Sequence, residues 1–179
     1  MFIRKLYALT DITLLEQHLL RLDSHSRAAR FMANVAISDQ MVARYCASRR
    51  GDRCLGFGAF IRGTLVAVAE VIPVGAGIAE MAVSVESAYR GRGIGKDLAR
   101  RSLNHARNVG IKQVRVSTLI CNTCMKRLAS SLGGVSMRGD YPGEMIYMLT
   151  LEPLDLFSLA MDGIDSFFAF AGGFSGATA

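Results

Sequence analysis

The stretch from Tyr89 to Lys96 reads YRGRGIGK and sets Gly91, Gly93 and Gly95 among the cations Arg90, Arg92 and Lys96. The residues that follow, DLARRSLNHARNVG, have helical spacing. Glycines let a turn run close to a ligand and leave successive N–H groups unshielded, and a helix start adds partial positive charge, so the stretch is built to hold an anion. Two further groupings are capable of chemistry. Cys121-Asn122-Thr123-Cys124 stands at a strand end that opens a helix, the usual place of the reactive pair in a thiol–disulfide oxidoreductase. Glu70 and Glu80 lie on strand-forming runs and are candidate proton acceptors. His18, His25 and His105 show no ligand spacing relative to the cysteines, and no metal site is expected.

Three phosphate-binding designs place glycines ahead of a helix, and two fail here. A Walker loop needs a glycine five residues before its Gly-Lys pair and a Ser or Thr after it, whereas Arg90 and Asp97 hold those positions. In the dinucleotide fingerprint, Gly91 and Gly93 supply the first pair, but Lys96 stands at the third glycine.

The elements that must position these residues follow from periodicity. Phe2 to Leu9 reads as a strand, and Asp11 is the expected cap of a helix whose Ile12, Leu15, Leu19 and Leu22 share a face. SHSRAARF reads as a polar connection to a second helix, DQMVARYCASR, capped by Ser38 or Asp39. CLGFGAFI and TLVAVAEVIPV, separated by Arg62-Gly63, read as a hairpin, and Ile78 to Val85 as a further strand. Ile94, Leu98, Ala99, Leu103, Ala106 and Val109 mark the helix after the glycines, closed by Gly110. KQVRVSTLI is the next strand, Asn122 leads a helix ending at Gly133 or Gly134, and two strands flank Pro142-Gly143. A strand, a helix and a strand around the glycine turn imply a parallel crossover inside a mostly antiparallel sheet.

At 179 residues the chain suits one domain with a sizeable core. Four cysteines are few for a disulfide framework, and Asp11 precedes any signal-length apolar run, so a reduced, cytoplasmic protein is expected. Residues 1–138 hold all 21 Lys and Arg but only 9 of the 15 Asp and Glu. A basic body suits an anionic partner, yet no aromatic ladder or zinc spacing supports specific nucleic-acid binding. The C-terminal stripe Phe157, Ala160, Met161, Ile164, Phe168 and Ala171 is broken by Asp162 and Asp165, which excludes a membrane span. Residues 152–179 are expected to pack as an amphipathic acidic tail on the body, residues 1–151, or on a second subunit of a homodimer.

The spacing that fits throughout is Arg90-x-x-Gly93-x-Gly95. It resembles the signature of the GNAT superfamily of N-acyltransferases: Gln or Arg, two residues, Gly, one residue, then Gly or Ala. The resemblance runs from Ile78 through Gly133. It implies an α+β fold with a mixed, mostly antiparallel twisted sheet and flanking helices, and an N-acetyltransferase that moves an acetyl group from acetyl-CoA to a primary amine of a small molecule or protein. Arg90, Gly91, Arg92, Gly93, Ile94, Gly95 and Lys96 would hold the pyrophosphate. Val83 and Val85 would bond the pantetheine arm through their backbone, and the N–H near Val83 would face the thioester oxygen. Asn122 matches the family's asparagine and is equally an ordinary N-cap. Many relatives carry a tyrosine acid seven residues later, where this chain has Ala129, and Ser130, Tyr141 and Tyr147 are substitutes. Glu80 is the candidate catalytic base. The alternatives are a thiol–disulfide oxidoreductase using Cys121 and Cys124, and a non-catalytic acyl-CoA sensor.

Overall fold

A computed structural model describes residues 1–33, 35–50 and 56–152. The order is β1 (Phe2–Leu6), α1 (Ala8–Arg21), α2 (Ser24–Arg30), α3 (Asp39–Ser48), β2 (Gly56–Ile61), β3 (Thr64–Gly75), β4 (Ile78–Val85), a 3-10 turn (Ser87–Tyr89), α4 (Ile94–Asn108), β5 (Gln113–Leu119), α5 (Thr123–Ser131), β6 (Val135–Arg138) and β7 (Glu144–Thr150). The strands form a seven-stranded sheet ordered β1-β2-β3-β4-β5-β7-β6. Every pairing is antiparallel except β4 with β5. This is the mixed, mostly antiparallel α+β arrangement that the sequence implies.

Apolar burial on both faces holds the sheet. On one, Leu15 and Leu19 of α1 and Val42 of α3 are fully buried with Leu6, Leu65 and Val68. On the other, α4 sets Leu98, Ala99, Leu103 and Ala106 against Ala67, Ala69, Met81 and Val114. Each large side chain so buried contributes about 1.5–3 kcal/mol.

Two local expectations are corrected. Helix α1 begins at Ala8, and Asp11 sits inside its first turn rather than at its cap. The Asp11 carboxylate accepts from the Tyr7 N–H at 2.8 Å and takes a two-point contact from Arg4, also at 2.8 Å, so tertiary pairing replaces simple capping. SHSRAARF is not a mere connection. Asp23 accepts from the Ser26 N–H and caps a helix, α2, that the polar composition concealed. The C-terminal stripe lies outside the described residues, and among those described no helix is long and apolar enough to cross a membrane.

Strands β4 and β5 pair only over Ile78–Glu80 and Gln113–Arg115. Past those residues each remains bonded to its outer neighbour, β4 to β3 and β5 to β7, while the two diverge. The sheet therefore opens in the middle, and among the described residues no strand pairs with this edge of β4 from Met81 onward.

Candidate active site

The opening is a cleft of about 560 Å3. Residues Glu80 to Val85 of β4 form one wall, and Ser117, Thr118, Asn122, Cys124, Met125 and Leu128 the other. The glycine loop closes one end of it, and α2 with Phe31, Met32 and Tyr45 borders the rest.

Gly91 (φ 72°) and Gly93 (φ 77°) occupy left-handed backbone, where a β-carbon is strained. No atom lies within 4 Å of where either β-carbon would stand, so the space before the turn is open. Gly95 differs: it is helical, and its β-carbon would stand in ordinary van der Waals contact with Val85 and Val83 at 3.4 and 3.6 Å. Among the described residues, the N–H groups of Gly91, Arg92, Gly93, Ile94 and Gly95 have no acceptor, whereas those of Lys96 and Asp97 bond to Gly93. Five successive free donors at a helix start form an anion cradle. Ile94 contributes only its backbone, its side chain being core.

The three cations do not act alike. Arg90 donates to the Val85 carbonyl at 3.0 Å and to the Ser26 hydroxyl, and pairs with Asp23 at 3.4 Å. Arg92 folds back onto the Ala88 carbonyl and over the Tyr89 ring, and is not part of the cleft lining. Lys96 lines the cleft with no partner among the described residues. Of the three, Lys96 is the cation without a partner among the described residues, while Arg90, which also lines the cleft, is engaged by protein groups.

Further along, Val83 and Val85 turn their side chains to the α4 core and leave backbone to the cleft. Opposite them, the hydroxyls of Ser117 and Thr118 are buried without partners, which is costly unless a ligand meets them. Asn122 caps α5 by accepting from the Met125 N–H at 3.1 Å, and its amide donors remain for a ligand. Together these walls suit an extended arm rich in amides, ending on the anion cradle.

The acceptor side is crowded with polar groups. Glu80 lines the cleft, is 38 % exposed and lies 3.8 Å from Arg115. Glu70 is buried instead: its carboxylate takes the Tyr45 hydroxyl at 2.8 Å and the Arg30 guanidinium, so it is no free base. Burial and Glu70 push the Tyr45 phenol well above its ordinary range. His18, fully buried, lies 2.9 Å from the Ser84 hydroxyl and 3.2 Å from Glu86. Burial disfavours ionising Glu86, but the His18 hydrogen bond and the Arg21 charge outweigh it and hold the carboxyl below its ordinary range.

The substitute acids expected from the sequence are not brought here. Ser130, Tyr141 and Tyr147 all lie outside the lining, and Tyr45 and Tyr89 are the phenols within it. Ser84, Glu86, Ser117, Thr118 and Tyr45 escaped the sequence reading, although alternation along IAEMAVSV already places Ser84 on the face of Glu80. Cys46 is buried, and burial with Glu16 and Glu70 pushes its thiol up to about 12. Cys121 and Cys124 are exposed, and Cys124 borders the cleft. Among the described residues no cluster of His, Cys, Asp and Glu is placed to hold a metal ion.

Residues 19–133 match the Acetyltransferase (GNAT) family. No curated protein gave a significant match. Among solved structures, the GNAT domain of S. lividans PAT superposes with a TM-score of 0.70 at 25% identity, over 83% of this chain and 89% of that one. A putative acetyltransferase, yncA of Salmonella typhimurium, solved with its cofactor acetyl-CoA, gives 0.64 at 19% identity over 85% and 94%. The PaiA N-acetyltransferase of Thermoplasma acidophilum, in complex with coenzyme A, gives 0.64 at 19% over 84% and 98%.

Proposed function

Because this chain belongs to the GNAT family of acetyltransferases, we propose that it transfers an acetyl group from acetyl-CoA to a primary amine of a small molecule or protein. The observation that carries this reading is the open wedge between β4 and β5 ending on five unpaired N–H groups. Coenzyme A has the matching parts, a pyrophosphate followed by an amide-rich arm. Gly91 to Gly95 and Lys96 hold the pyrophosphate. The backbone of Val83 and Val85, with Ser117, Thr118 and Asn122 opposite, meets the arm. Arg90 and Arg92 shape the turn instead of touching the anion.

A protonated amine loses two protons on becoming an amide. Glu80, on the cleft wall where β4 and β5 begin to part, takes the first from the acceptor and passes it to water. Ala129 leaves the departing thiolate without the tyrosine common in the family, and the modest basicity of a thiolate lets it leave unassisted. The thiol–disulfide alternative finds no support in the family match. A sensor that binds without turnover would use the same cleft.

Calorimetric titration with acetyl-CoA, NAD and ATP tests the reading. Acetyl-CoA is expected to bind, with NAD and ATP far weaker. Preference for either nucleotide would overturn it, and tight acetyl-CoA binding without turnover on any amine would favour the sensor.

A further inference from the structure

We propose that Ser84, His18 and Glu86 form a relay that removes the second proton from the amine as the new amide bond forms. The inference rests on acetyl transfer as the reaction and names residues that the signature motif does not contain.

His18 lies on α1, Ser84 on β4 and Glu86 just past the strand, 66 and 68 positions away in the chain, yet they stand in hydrogen-bonded series. The Glu86 carboxylate can only accept, so the imidazole carries its hydrogen on Nδ1 and leaves Nε2 to accept from the Ser84 hydroxyl. Glu86 is held in place by Arg21 at 3.0 Å and by its own N–H to the Val66 carbonyl at 3.0 Å. Arg21 comes from the same helix as His18 and reaches the ring only through that carboxylate. A hydroxyl bonded to a base that a third group orients is the constellation of an activated serine.

Burial decides what that constellation does. His18 is 0% exposed and Ser84 7% exposed, and Ser84 lines the cleft while His18 does not. No substrate or water reaches the imidazole except through the Ser84 hydroxyl. An acylated Ser84 would seal off its own base, whereas a relayed proton needs only to pass across the oxygen. As the amine nitrogen bonds to the acyl carbon and the carbon–sulfur bond breaks, Ser84 Oγ takes the nitrogen's proton and hands its own to His18 Nε2. Glu86 stabilises the resulting imidazolium. The proton then returns by the same oxygen to the departed thiolate or to water, which restores the resting state. Ser84 is the group that meets the amine, and His18 and Glu86 are positioning residues behind it.

Two measurements on the full-length protein test this. Long-range 1H–15N spectra of the free protein should show the His18 Nδ1–H tautomer, with the Nε2 signal moving in Ser84→Ala. A ring protonated on Nε2 would overturn the relay without bearing on acetyl-CoA binding. Release of the coenzyme A thiol is then followed with small primary amines of graded basicity, such as glycinamide and ethylamine, at high concentration. Ser84→Ala and His18→Asn should each lower kcat about tenfold to a hundredfold while acetyl-CoA affinity, by calorimetry, holds within about threefold. The double variant should lose no more than either single one, and Ser84→Thr should recover most of the rate. Glu86→Gln should flatten the rise of rate with pH. Independent, additive losses, an unchanged rate in Ser84→Ala, wild-type turnover too slow to measure, or an acetyl group found on Ser84 by mass spectrometry would each overturn the relay. Failure of the wild type to bind acetyl-CoA would instead overturn the acetyltransferase reading on which it rests.

Discussion

Gly93 and Gly95 are alike in the motif and unlike in the folded chain. Gly93 is left-handed, so Gly93→Ala strains the backbone by about 1–2 kcal/mol and disturbs the free donors beside it. Gly95 is helical, with room for a methyl group at 3.4 Å from Val85, and alanine favours a helix by about 1 kcal/mol over glycine. Melting temperature and acetyl-CoA titration should therefore separate them: Gly93→Ala less stable and at least tenfold weaker, Gly95→Ala as stable or more so and still binding. Ala129 makes a second case. It is fully buried, and its carbonyl takes the Gly134 N–H at 3.0 Å. Restoring the family's tyrosine there has no gap to fill, and overpacking costs about 1–3 kcal/mol. Ala129→Tyr is expected to lower the urea midpoint and bring no gain in rate. A stable variant with a large gain would show that the chain is missing an acid it can still use.

Among the elements, α2 is the one whose placement depends on the anion loop. Arg90 bonds the end of β4 and the first turn of α2 at once, so the helix that carries Arg30 is anchored to the loop that meets the cofactor. The pairs are nearly half exposed and worth at most about 1 kcal/mol together. Arg90→Ala should hence lower the melting point only slightly. With small amines its acceptor KM should rise severalfold while acetyl-CoA affinity changes less than about threefold. A loss confined to acetyl-CoA affinity would mean that the guanidinium reaches the phosphates after all.

At the scale of the whole molecule, stability in acid follows from three carboxylates. Hydrogen bonds from Arg4, outweighing burial, hold Asp11 below its ordinary value of 3.8, and the Ser26 hydroxyl and N–H do the same for Asp23. Glu86 is held below 4.5 despite burial. A carboxylate with a depressed folded value adds stability that is complete above the ordinary value and is lost as pH falls through the folded one. Urea midpoints should be level from neutrality to about pH 5 and fall steeply toward pH 3. Arg4→Gln should lower the plateau and shrink the fall, because Asp11 then titrates nearer its ordinary value. Equal acid dependence in both proteins would show that the Arg4 pair is not a source of it.

The sequence by itself determined the order of the strands and of most helices, the glycine turn and the family signature. These are local properties, written in alternation, helical spacing and residues suited to positive φ. It did not show α2, since a short polar helix held by one aspartate cap has no apolar stripe to read. Nor did it separate the three cations of the motif: whether an arginine meets an anion or a carbonyl depends on which groups from distant segments arrive beside it. Tertiary structure alone turned Glu70 from a candidate base into a buried partner of Arg30 and Tyr45. It also set His18 behind Ser84, because a hydrogen bond across 66 positions leaves no period in the chain, only a distance in the fold.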